Sequence, residues 1–282
     1  MPFFNTKISI GKNFKNTKSH WANLINFVPK RIRIVASCAV MTLLLTFSTF
    51  FSFTEWWYIL LPILLACAYL TTFIAIYESI DGVEWYMLFL MPLALTATLY
   101  LFYFLLPGRW LTRIPLVFVF GFTYYASLLI SNIFNVGVEK SIQLFRAAFS
   151  MNYLLQSFTL FLMCMVIFSF KQGFIVNGIS AGIVTIFLSL NLYWSVNPSD
   201  KLSRNIVTYA IFTGLIVLQL VVAISFIPFK TNISSILATT LYYCLAGIGH
   251  HHLAGKLFPN IIREFSFVLV FVLIIAVMTL QW

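Results

Sequence analysis

Acidic residues are nearly missing from this chain. There are seven Asp and Glu in 282 residues, and charged residues of both signs reach only 9%. A soluble domain is roughly a quarter charged, so water is not the main solvent of this sequence. Cysteine is scarce too. Cys38, Cys67, Cys164 and Cys244 each fall inside an apolar run, where they read as buried thiols and not as a disulfide framework. No Asp, Glu, Lys or Arg interrupts the middle of an apolar run, which weighs against proton-driven and voltage-driven machines, and the missing lysine excludes a retinal Schiff base. There is no Walker loop, no GxSxG and no HExxH. The short alternating segments of a transmembrane barrel are also lacking.

What is present is apolar mass in long blocks. Hydrophobic residues make up 61% of the chain, and mean hydropathy is +0.98. The fold class is therefore all-α: a polytopic helical membrane protein with nine candidate spans at 34–53, 57–77, 85–106, 115–134, 148–170, 173–194, 205–227, 233–249 and 264–282. The run at 233–249 is the weakest, being short and rich in Ser and Thr, and a re-entrant segment is the alternative there. Pro62 and Pro92 are expected to kink their helices. Gly178 and Gly182 form a GxxxG step that marks a close helix crossing, expected within the chain and not between copies.

Residues 1–33 form a basic arm with Lys7, Lys12, Lys15, Lys18, Lys30, Arg31 and Arg33 and no acid. Trp21, Leu24, Ile25 and Val28 recur at helical spacing, so a surface helix capped by Ser19 and ended by Pro29 is expected there, against the alternative of a disordered arm. Residues 34–282 form one transmembrane domain. With the N-terminus inside, 13 of the 17 Lys and Arg lie on the cytoplasmic side and the C-terminus lies outside. This makes the expected location a bacterial cytoplasmic membrane. The expected partners are anionic lipid headgroups near the arm and a further membrane protein. The net charge of +10 has this membrane explanation, so nucleic acid is not expected as a partner.

The most polar stretch is central, Ser131 to Gln156. Glu139, Lys140, Gln143 and Arg146 share one arc of a helical wheel, and Val138, Ile142, Phe145 and Phe149 share the other. An amphipathic helix lying in the membrane interface over 137–147 is expected. Glu78, Asp81 and Glu84 fall in the turn between the second and third spans, on the same side. Together with the central helix they form the candidate polar cluster: Glu78, Asp81, Glu84, Glu139, Lys140, Gln143 and Arg146. Functionally, carboxylates three residues apart can hold Mg²⁺ against a lipid diphosphate, and Arg146 with Lys140 can bind a phosphate. Structurally, the turn is solvated, and Glu139 and Arg146 pair with each other or with Glu78 and Asp81. His250, His251 and His252 point about 100° apart on a helix and do not converge on one ion. No catalytic residue, cofactor or metal site is expected. At depth, Gln156, Gln219, Tyr69, Tyr124, Tyr125 and Tyr243 are expected to hydrogen-bond helix to helix.

Asn132-Ile133-Phe134-Asn135 followed by Ile142-Gln143-Leu144-Phe145-Arg146-Ala147-Ala148 resembles a stretch of multi-pass membrane proteins from small-genome bacteria. The resemblance covers a small part of the chain and implies no activity. Three classes of function fit the sequence. The first is a non-enzymatic membrane component, meaning a subunit, scaffold or assembly factor. The second is a transporter for a small or lipid-like solute. The third is a lipid-active enzyme at the cytoplasmic face.

Overall fold

A computed structural model describes residues 29–51, 53–77, 85–136, 142–198 and 202–279. Among them there are nine helices and no strand: α1 Lys30–Ser48, α2 Phe53–Ile76, α3 Trp85–Tyr103, α4 Trp110–Val136, α5 Ile142–Ser169, α6 Phe174–Trp194, α7 Arg204–Ile224, α8 Thr231–Leu253 and α9 Pro259–Met278. All but α8 are long and apolar enough to cross a membrane. The protein is a polytopic helical membrane protein.

Consecutive helices run antiparallel, as side-chain contacts near their shared ends show. Tyr69 of α2 stacks on Phe89 of α3 at 4.8 Å, Phe134 of α4 meets Phe145 of α5 at 5.5 Å, and Tyr209 of α7 meets His252 of α8 at 5.5 Å. One end of the bundle therefore gathers Arg33, Arg146, Arg204, Lys256 and Arg263 (the basic end). The other carries Phe50, Trp56, Trp57 and Trp110 (the aromatic end). Exposed tryptophans of this kind mark headgroup depth.

The helices form two quartets. α1 to α4 close on themselves through α1 with α2, α2 with α3, α3 with α4 and α4 with α1, plus a diagonal between α2 and α4. α5 to α8 repeat that neighbour pattern, with the diagonal between α6 and α8. The quartets join where α5 packs on α3 and α4, and where α6 packs on α3. Because each quartet has an even number of helices, both run in the same sense, unlike the inverted repeats common in transporters. The outlying α9 packs on α8, and Ala276 is its one fully buried residue.

The run at 233–249 is a complete helix of 23 residues, not a re-entrant turn. Its polarity has a packing cause. α8 is surrounded by α5, α6, α7 and α9, and Ser234, Ser235, Ala238, Tyr242, Ala246 and Gly247 are buried against them. A helix screened from lipid by protein can carry hydroxyls that a lipid-facing one cannot. It ends in a left-handed glycine: Gly255 has φ +66°, its N–H reaches the His252 carbonyl at 3.0 Å, and the Lys256 N–H reaches that of His251 at 2.9 Å.

The GxxxG step crosses α7 within the chain. A Cβ on Gly182 would sit 3.0 Å from that of Leu218, and one on Gly178 would sit 2.6 Å from a Val222 methyl. Gly214 of α7 completes the contact, because a Cβ there would come within 2.9 Å of the Gly182 carbonyl oxygen. Threonines inside the helices return their hydroxyls to carbonyls one turn back, as Thr42 does to Cys38 at 2.8 Å and Thr96 to Pro92 at 2.8 Å. Pro62 and Pro92 lie inside α2 and α3, and Pro115 lies inside α4, which starts five residues earlier than the apolar run suggests.

Candidate functional site

Of the candidate polar cluster, Glu78, Asp81, Glu84, Glu139 and Lys140 lie outside the described residues, as does the expected surface helix of the N-terminal arm. Gln143 and Arg146 are described and exposed, in the first turns of α5. The described part of the expected interfacial helix, 142–147, is continuous with the membrane helix that follows, and together they form the single 28-residue α5. Phe145 is half-buried against Phe134, while Ile142 is exposed. The amphipathic pattern thus carries one flank of α5 onto α4.

A different set of polar groups comes together. Roughly one to four turns inside the basic end, α5 presents Asn152 and Gln156 toward Asn191 of α6. The Asn191 side-chain oxygen accepts from Asn152 at 3.0 Å and from Gln156 at 2.6 Å. The Asn191 amide group donates to the Met87 carbonyl of α3 at 2.7 Å. Tyr242 of α8 donates to the Gln156 side-chain oxygen at 2.7 Å. All four side chains are at least 98% buried. The cluster ties α3, α5, α6 and α8 together across the junction of the quartets. Buried amides need such partners, because an unpaired one in hydrocarbon costs several kcal/mol. The Asn152 side-chain oxygen is the one acceptor of these amides without a partner.

Smaller polar links repeat the device. Tyr193 of α6 shares a hydrogen bond of 2.8 Å with Thr213 of α7 and reaches the Leu245 carbonyl of α8 at 3.4 Å. In the first quartet, Tyr124 of α4 meets Thr71 of α2 at 2.8 Å. Chemically, amides and hydroxyls arranged this way hold helices in register. They offer no proton donor or acceptor that titrates near neutrality.

Gln156 and Tyr124 therefore make the helix-to-helix bonds expected of them. Asn191 escaped the sequence reading; its only signal is an asparagine within an apolar run. Gln219 departs from expectation. It is exposed on α7 among Phe212, Leu215 and Ile216, which are themselves 59%, 44% and 39% exposed, and it bonds to no described residue.

The three consecutive histidines face different helices, although the His250 and His251 rings meet edge to face at 5.2 Å. His250 stacks on Phe149 of α5 at 3.9 Å, His251 faces Phe265 of α9 at 6.4 Å, and His252 meets Tyr209 of α7. Among the described residues, no three His, Cys, Asp or Glu side chains gather closely enough to hold a metal ion. No family model, no curated protein and no solved structure matches the chain.

Proposed function

We infer that this protein is a non-enzymatic component of a membrane assembly, a subunit or scaffold that docks a partner helix on the outer face of α7. The observation that carries this reading is Gln219. An amide directed into hydrocarbon keeps its hydrogen-bonding demand, and membrane helices meet that demand by association. Phe212, Leu215, Ile216 and Gln219 lie on neighbouring turns of one face, which gives the apolar surround that such a contact needs. The closed amide cluster supports the same reading, since its side chains are spent on holding helices together. The reading takes the membrane to be a bacterial inner membrane, and the positive-inside rule supports an orientation with the basic end toward the cytoplasm.

The test uses the full chain in its native membrane. Cysteines at Phe212 and Leu215 should crosslink to a second polypeptide, and Gln219→Leu should reduce that product by about threefold, the loss expected for one hydrogen bond of about 0.6 kcal/mol between membrane helices. Thermal stability of the isolated chain should not change. Crosslinking that ignores Gln219→Leu, or a chain that yields no protein adduct from either position, would exclude this docking face.

A further inference from the structure

We propose that the groove between α1 and α4 is a binding site for one phospholipid, with an acyl chain lying along the groove and the phosphate held by Arg113. The proposal is independent of the α7 docking face.

The groove has a volume of about 750 Å³. It runs from Val35 on α1 to Phe50 in the turn just after it, 15 residue steps or roughly 22 Å, against the ~15 Å hydrocarbon depth of one leaflet. Its floor is the line where the two helices touch. There the Cys38 thiol donates to the Gly121 carbonyl at 3.2 Å, and the absent side chain of Gly121 leaves the floor low. Phe118 and Phe122 of α4 rise on one wall, 76% and 63% exposed. The other wall contains Thr42, Thr46 and Thr49, whose hydroxyls are already engaged within α1 and the turn after it. They donate to the carbonyls of Cys38, Thr42 and Thr46 at 2.8, 2.7 and 2.7 Å. The channel is therefore apolar along its length.

At the aromatic end this changes. Arg113 lies in the first turn of α4, next to Trp110 at headgroup depth. Its guanidinium carbon is 4.9 Å from the centre of the Phe50 ring and 5.5 Å from that of Trp110. Its Nε donates to the Tyr103 hydroxyl at 2.8 Å, and that hydroxyl donates to the Thr49 carbonyl at 3.2 Å. This bond fixes the plane of the guanidinium. The two terminal amino groups make no hydrogen bond among the described residues, and no described carboxylate pairs with them. A half-buried cation at the edge of hydrocarbon demands an anion, and a rigidly held guanidinium fork suits a phosphate. One ligand chemistry supplies both a long apolar body and an anionic oxygen cluster at that depth: a phospholipid.

The experiment places the full chain in lipid nanodiscs with phosphatidylglycerol that carries a diazirine in one acyl tail. Parallel discs contain diacylglycerol with the same tail. After irradiation, adducts are mapped by peptide mass spectrometry. Adducts should concentrate on 35–46 and 117–125, with the diacylglycerol yield lower by about tenfold, one charge-assisted contact. Arg113→Gln should lower the phosphatidylglycerol yield to that of diacylglycerol, and Arg113→Lys should fall between. Gly121→Leu should remove both, because its side chain enters the groove. Its Cβ meets only Thr42, at 3.3 Å. Ala39→Phe, on the exposed wall, fills the same space should Gly121→Leu fold poorly. Equal yields from the two lipids would overturn the proposal. So would adducts spread over α9 in proportion to its exposure, or a protein adduct in place of lipid on a photoreactive side chain at Phe118.

Discussion

Replacing Asn191 by Leu should be among the most damaging single changes in the molecule, although it adds an apolar group to an apolar helix. Asn191 accepts from Asn152 and Gln156 and donates to the Met87 carbonyl. The change deletes three hydrogen bonds and strands two amide donors in a site that is at least 98% buried. A stranded buried donor costs ~1–3 kcal/mol, so stranding two gives an expected loss of roughly 2–6 kcal/mol, well above the about 0.6 kcal/mol average of a single hydrogen bond between membrane helices. Tyr242→Phe deletes one bond and should cost about 0.5–1.5 kcal/mol. Because Asn191 and Gln156 share a bond, Asn191→Leu combined with Gln156→Leu should cost at least ~0.5 kcal/mol less than the two changes summed. Reversible unfolding in mixed dodecylmaltoside and dodecyl sulfate micelles measures these differences. Trp194, fully buried and one turn from Asn191, is a built-in fluorescent reporter. Phe187→Leu, a change at a 53% exposed position of the same helix, is the control. If Asn191→Leu costs no more than that control, or if its effect simply adds to that of Gln156→Leu, the cluster does not hold the quartets together.

Three further outcomes are expected. Gly214→Ala should destabilise by about 2–4 kcal/mol, because its Cβ would lie 2.9 Å from the Gly182 carbonyl oxygen, which is backbone and cannot turn aside. Gly108→Ala, with nothing within 4 Å, should stay within ~0.5 kcal/mol of the parent in the same assay. For topology, a reporter fused after Trp282 should be extracytoplasmic and one inserted after Lys201 cytoplasmic. α7, α8 and α9 are three antiparallel helices between the two fusion points, and finding both reporters on one side would contradict three crossings there.

The helices themselves were legible in the sequence because hydrocarbon imposes a simple demand: each crossing must satisfy its backbone internally and stay apolar for about 20 residues. Runs such as 173–194 and 205–227 meet that demand in full view, and the weaker run at 233–249 still marked a helix. The GxxxG step likewise announced a close crossing. It did not announce that Gly214, Leu218 and Val222 lie opposite, since small residues state how near a neighbour comes and not which neighbour it is. Facing was the larger loss. In water, a helix shows its buried side by contrast with a polar one. In lipid, both sides are apolar, and the contrast disappears. For that reason Gln156 and Gln219 looked alike as amides in apolar runs, yet the fold turns one into a sealed four-helix cluster and the other out toward lipid. The same loss of contrast hid Asn191, and it hid the groove, whose apolar residues on α1 and α4 read as ordinary span. Of the expected amphipathic arc, Gln143 and Arg146 are exposed and Phe145 packs on Phe134, but Ile142 is exposed too, and residues 142–147 run on into α5 with no break that the sequence marked. Composition and periodicity thus determined that the chain crosses a membrane and where it does so. Only tertiary packing decided which side of each helix is inside, because the bilayer and the protein core are solvents of nearly the same polarity.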